Sequence, residues 1–226
     1  MNVDIVKSIA ALPGTAVLVA LLIAAGLLVV LTNWRLLVFA LGAQYILIGL
    51  MLTRVVPIEL AAVKTLVGVM ICPVLYITAR RVNWGQVEED RDLEEEVVRP
   101  QHRWWWIIGP GLPVRVIVTA LALAMSISLA SRNPLPITAD QTLSRDFTIG
   151  AFSVMLLGLI NAALAENPLK VGLGLLSFLA GFELFFTAVE PTLTIVGLLG
   201  LTNLILALAI SYLTTAWASR RSEVKA

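Results

Sequence analysis

Seven stretches of nearly uncharged apolar sequence constrain this chain more than any other feature: about 14–32, 35–53, 57–79, 112–130, 147–165, 169–188 and 192–216. Each is close to the ~20 residues needed to cross a bilayer's hydrocarbon core. Backbone N–H and C=O groups in that core have no water to bond, so such stretches satisfy themselves as helices. The sequence therefore predicts an all-α, polytopic transmembrane helix bundle. Composition agrees, with 59% of the 226 residues hydrophobic and 14% charged, against ~45–50% and ~25% in soluble domains. A net charge of +1 leaves no basic footprint for nucleic acid, and one cysteine (Cys72) with one histidine (His102) argues against a disulfide framework or a Cys/His metal centre. Cys72 is expected to pack inside a span, and no cofactor is expected.

The first apolar run follows a mixed-charge segment containing Asp4. It is longer than a ~7–15-residue signal h-region, so it reads as a retained span. Lys7, Arg54, Arg132 and Arg145 fall on the amino-terminal side. Arg35, Arg80, Arg81, Arg91, Arg99, Arg103, Arg115, Lys170, Arg220, Arg221 and Lys225 fall on the other, with Lys64 inside a span. That asymmetry predicts an external amino terminus and a cytoplasmic carboxyl terminus; the membrane expected is a prokaryotic inner membrane. Pro57, Pro168 and Pro191 stand at or just before span starts, where a missing N–H costs least. Pro73 lies within the third span and is expected to kink it or free a carbonyl. The acidic run Glu88–Glu96 reads as a solvated face, with docking of a partner the sharper alternative, and Trp104, Trp105 and Trp106 read as an interfacial anchor.

Under an offset of 134 residues the first three spans align with the last three without gaps, matching Asn33 with Asn167, Thr53 with Thr187, Val55 with Val189 and Pro57 with Pro191. The additional span at 112–130 restores the direction of the chain, so the two three-span units are expected to be parallel repeats, a device known in transporters. The expected layout is a first repeat over 1–80, a cytoplasmic acidic loop with a Trp-rich re-entry over 81–111, a linking transmembrane helix over 112–130, an external loop over 131–146, a second repeat over 147–216 and a cytoplasmic tail over 217–226.

Polar side chains within the spans are few, and each is a candidate. An ionised carboxylate in a span costs at least ~2.5–3.5 kcal/mol, which makes Glu183 the leading ion-relay candidate, ahead of Lys64 and Glu59. At ~1.5 Å per residue, Glu183 and Lys64 lie at one depth, roughly 8–10 Å below the amino-terminal-side boundary, so a pair is geometrically allowed. Gln44 and Asn203 count to mid-membrane and Asn161 nearer the other side, giving a candidate polar path. The bland reading of these three amides is hydrogen bonding between helices, worth about 0.6 kcal/mol each. Gly174, Ser177 and Gly181 form a small-residue stripe for close helix approach, whereas Glu183, Ala180 and Thr187 point roughly the other way.

Two segments carry a family resemblance. Ala62–Val82, AVKTLVGVMICPVLYITARRV, resembles the third span of the hydrogenase-4 component E family. Glu166–Leu213 resembles that family's second half and is similar to the K subunit of complex I and its cation-antiporter relatives. The resemblance implies a subunit without redox centres in the membrane arm of a complex I-like or hydrogenase-like assembly, contributing carboxylates and a lysine to proton or sodium transfer. Its implied partners are antiporter-like and hydrogenase-like or quinone-reductase-like membrane subunits. The chain departs from that pattern in three places. The family's span-six acid falls about a turn before Glu183, at Leu179 or Ala180; Lys64 stands about a turn further from Pro73; and Asn203 replaces an acid. Two alternatives stand beside this expectation: a structural scaffold without a relay role, and a free-standing small secondary transporter. For the latter, Pro73 apart, no pair of spans is clearly broken at mid-membrane to frame a substrate. A retinal-type pump would need a lysine in the last span, which has none.

Overall fold

The structure is a computed structural model and describes residues 14–82, 112–132, 141–165, 167–190 and 192–225. The segment with Asp4, the acidic run Glu88–Glu96 and Trp104–Trp106 lie outside the described residues. Seven helices make up the described chain: α1 Gly14–Val30, α2 Trp34–Leu52, α3 Ile58–Arg81, α4 Leu112–Arg132, α5 Gln141–Ala163, α6 Pro168–Val189 and α7 Leu193–Lys225. Six of them, α2 to α7, are long and apolar enough to cross a membrane. With 17 residues, α1 stands at the lower limit of ~17–25 for a spanning helix. Among the described residues there is no strand.

Hydropathy placed the helices and local chemistry sets their ends. Asn33 has extended backbone and its side chain accepts from the N–H of Arg35, opening α2. Asn167 does the same for α6, accepting from the N–H of Lys170 ahead of Pro168 in the first turn. These are two of the N–H groups that a helix start leaves without intrahelical partners. Pro57 precedes α3, and α3 continues through Pro73, whose ring leaves the carbonyl of Val69 without its usual donor. Two helices run about six or more residues beyond the apolar stretches that announced them. α5 begins at Gln141 rather than 147, taking in Arg145 and Asp146, and α7 continues past 216 to Lys225. Hydropathy marks where a helix leaves hydrocarbon, and the hydrogen-bonded ladder does not stop there. At ~1.5 Å per residue α7 is roughly 50 Å long, about 20 Å more than the hydrocarbon core.

Consecutive helices pack in order within α1–α2–α3 and α5–α6–α7, and the two sets meet helix by helix: α1 on α5, α2 on α6, α3 on α7. The linking helix α4 packs on α1 and α5, and Arg115 donates to the carbonyl of Val29 at 3.2 Å, a cation at the negative end of α1. α6 is the most enclosed, with 61% of its apolar window buried against 22% for α4 and α7.

The small-residue stripe on α6 meets the backbone of α5. A Cβ at Gly174 would strike the Ala162 backbone and one at Gly158 the Phe178 backbone, so these two glycines let the helices touch main chain to main chain. A Cβ at Gly181 would lie 2.6 Å from the N of Met155. Without a hydrophobic drive between helices in lipid, such close van der Waals contact holds them together. Gly174→Ala and Gly158→Ala should each lower stability by about 1–3 kcal/mol through overpacking, measured by denaturing-detergent titration in mixed micelles. Gly197→Ala, where nothing lies within 4 Å of the added carbon, should instead be neutral or slightly stabilising.

Candidate functional site

Opposite its glycine stripe, α6 presents Glu183 to α3 and α7. The Lys64 Nζ lies 2.9 Å from Glu183 Oε2, and Asn203 Nδ2 donates to the same oxygen at 2.9 Å. All three are buried, Glu183 at 1% exposure, Asn203 at 2% and Lys64 at 7%. Glu183 stands six residues before the end of α6 and Lys64 six after the start of α3, which is why counting from helix ends put them at one level. Asn203 was expected at mid-membrane. Its position is roughly 6 Å deeper by the same count, and the reach of the two side chains closes that gap.

The carboxylate is engaged unevenly. Oε2 receives both donors, whereas among the described residues neither Oε1 nor Asn203 Oδ1 has a hydrogen-bond partner. Lys64 carries three N–H donors. Taking an ion pair out of water costs several kcal/mol per ion, which mutual attraction offsets only when geometry is good and further hydrogen bonds assist. The Lys64 contact and the Asn203 amide meet that requirement on one oxygen and leave the other as a bare acceptor. A group of this kind can take up a proton on Oε1 while Oε2 still accepts from Lys64 and Asn203, the neutral acid holding the ammonium less strongly.

The other sequence candidates stand apart. Gln44 and Ser177 join α2 to α6 in a reciprocal pair: Gln44 Nε2 donates to Ser177 Oγ at 2.9 Å, and in the alternative hydroxyl orientation Ser177 Oγ donates to Gln44 Oε1 at 3.2 Å. This is the interhelical role of the bland reading, seen for Gln44. Asn161 is buried near the far end of α5 with its Nδ2 unpartnered. Glu59 lies exposed in the first turn of α3, where a carboxylate suits the positive end of the helix. The structure brings Lys64, Glu183 and Asn203 together and leaves Gln44, Asn161 and Glu59 outside that cluster.

Reasoning from sequence singled out Ser177 only as a small residue, and missed its role as partner of Gln44. It counted Tyr45 among the polar groups of the second span but gave it no role; the residue is buried, its hydroxyl has no partner among the described residues, and its ring packs on Gly68, one turn along α3 from Lys64. The hydroxyl of Thr187, one turn beyond Glu183 on α6, is buried without a partner as well. Among the described residues no group of three or more His, Cys, Asp or Glu is placed to hold a metal ion.

Removing one member of the buried pair should be far more costly than removing both. Lys64→Met should destabilise the bundle by about 3–5 kcal/mol, and adding Glu183→Leu should recover most of that loss. Gln44→Leu, which breaks a neutral interhelical pair, should cost no more than about 1.7 kcal/mol. Unfolding in mixed micelles checks all three, and additive losses at 64 and 183 would mean the pair does not form.

Comparison with known proteins yields no match, whether to family models, to curated proteins or to solved structures.

Proposed function

We propose that this chain is a non-redox integral membrane subunit of a complex I-like or membrane-bound hydrogenase-like ion-translocating assembly, with Glu183 as a proton relay held by Lys64 and Asn203. The observation that carries the reading is the buried pair itself: a carboxylate at 1% exposure among helices of spanning length, with one oxygen bound twice and the other unpartnered. Ionisable groups inside spans are costly, and they mark ion and proton pathways. In this reading a proton taken by Glu183 Oε1 weakens the hold on the Lys64 ammonium, so protonation and the position of the lysine are coupled. The amino terminus faces outward and the carboxyl terminus the cytoplasm, following the distribution of Lys and Arg. Partners are antiporter-like and hydrogenase-like or quinone-reductase-like membrane subunits.

The layout supports a duplicated origin within this proposal. Under the 134-residue offset the Asn33 and Asn167 caps coincide, α2 and α6 begin at matching positions, and α3 and α7 begin one residue apart. Each helix of the first set also packs on its counterpart. Two parallel three-helix units laid side by side, joined by α4, account for all four facts.

One observation favours a second reading, a scaffold without a relay role. The Gln44–Ser177 pair and Asn161 do not join the Lys64 cluster, so among the described residues the polar groups form separate sets rather than one ladder. Glu183→Gln in the assembled complex decides between the two. The amide keeps the shape and removes the titratable group. Ion pumping should fall about 10²-fold while partner subunits still co-purify. Unchanged pumping with intact assembly would establish the scaffold reading.

A further inference from the structure

A carboxylate buried this deeply needs a way for water to reach it, and the packing of α3 against α7 leaves one. A half-open cavity of about 250 Å³ runs between these helices, walled by Val63, Val67, Gly197 and Gly200 and ending on Lys64, Glu183 and Asn203. Three observations converge on it. Lys64 is the most exposed of the three site residues and has one carboxylate partner for its three N–H donors. The acceptors without partners, Glu183 Oε1 and Asn203 Oδ1, belong to the other two residues at the inner end. Finally, the glycines on its wall differ from those of the α5–α6 contact. Gly158, Gly174 and Gly181 press on backbone, whereas a Cβ at Gly197 would have nothing within 4 Å and one at Gly200 only the Val67 side chain at 3.5 Å. Gly197 is exposed and Gly200 half-buried, so the two stand at the mouth of the cavity, where close packing does not require glycine and a larger side chain would narrow the opening.

We propose that this cavity is a hydrated lateral entrance to the Lys64–Glu183 pair, kept open by Gly197 and Gly200. It deepens the ion-transfer reading of the same site. A buried water needs about two to four polar partners, and in this cavity Lys64, Glu183 and Asn203 supply them, so water is placed at the end that carries these side chains. The innermost water accepts from Lys64, and a small rotation of the Glu183 carboxyl or the Asn203 amide brings an unpartnered oxygen within its reach. The valine walls offer no polar group, so the water is held from its inner end.

The test reads hydration directly. Cys72 is the single cysteine, so Cys72→Ser in the full chain, reconstituted in phospholipid vesicles, provides a thiol-free background. Gly200→Cys is then compared with Leu198→Cys, which lies at nearly the same depth on the exposed outer face of α7. The thiolate, which forms in water and not in hydrocarbon, attacks the sulfur of a small, hydrophilic methanethiosulfonate and displaces methanesulfinate to give a mixed disulfide. The Gly200→Cys thiol should therefore react at least about tenfold faster than the Leu198→Cys thiol, and adding Gly197→Leu should abolish that advantage. If Gly200→Cys does not fold, Gly197→Cys replaces it, with Gly200→Leu as the blocking substitution. Equal rates at the two positions would overturn the proposal, since a lipid chain would then fill the cavity. Labelling requires no partner subunit and no ion flux, so failure of the Glu183→Gln pumping assay leaves its outcome untouched.

Discussion

A carboxylate held at 1% exposure between helices is the constraint on which the rest of this bundle turns. Desolvation penalises each ion by several kcal/mol, and a single misplaced partner would leave that penalty uncompensated. Lys64 and Asn203 must both reach one oxygen, each at 2.9 Å. They come from different helices, so the cluster ties the vertical register of α3 and of α7 to that of α6. A slip of either by one turn, ~5.4 Å, would break the contact.

That register is useful only if α6 is itself held, and its other side supplies the hold. Main-chain contact with α5 through Gly158, Gly174 and Gly181 gives the bundle a rigid, apolar seam, and the Gln44–Ser177 pair pins α2 at a third position around the helix. Glycine thus has two physical uses in this molecule. On the α5–α6 seam the missing side chain brings backbones together; on α7 at 197 and 200 it leaves space beside the buried charge. The same residue type serves cohesion in one place and access in the other, and only the neighbours distinguish them.

The helix-by-helix pairing of the two three-helix sets has a consequence for the site. α2 and α6 face each other in the enclosed part of the bundle, whereas α3 and α7 pair where burial is lower. The charged cluster is reached from α6 on the enclosed side and from α3 and α7 on the open side. A buried ion pair with one oxygen bound and one unpartnered, set beside a cavity, is an arrangement that a proton relay can use and that a purely cohesive contact does not require.

Much of this was legible in the chain because depth in a membrane is a one-dimensional quantity. Apolar length located the helices, Asn33 and Asn167 marked two of the turns, and counting from helix ends placed Lys64 and Glu183 level with each other. Counting also put the small-residue stripe and Glu183 on opposite faces of α6, and the two faces do meet different helices. Which helix stands beside which is not a count. That Asn203 reaches Glu183 rather than mid-membrane amides, that Ser177 answers Gln44, and that Glu59 and Asn161 are left out depend on the rotation and neighbours of each helix. Those are set by side-chain packing across the whole bundle. The ends of α5 and α7 escaped for another reason: hydropathy reports the edge of the hydrocarbon and not the end of the hydrogen-bonded ladder. The sequence by itself determined a set of helices and the depth of its charges. The tertiary structure decided which charges meet, because contact between helices is long-range in sequence and fixed only when all of them are packed.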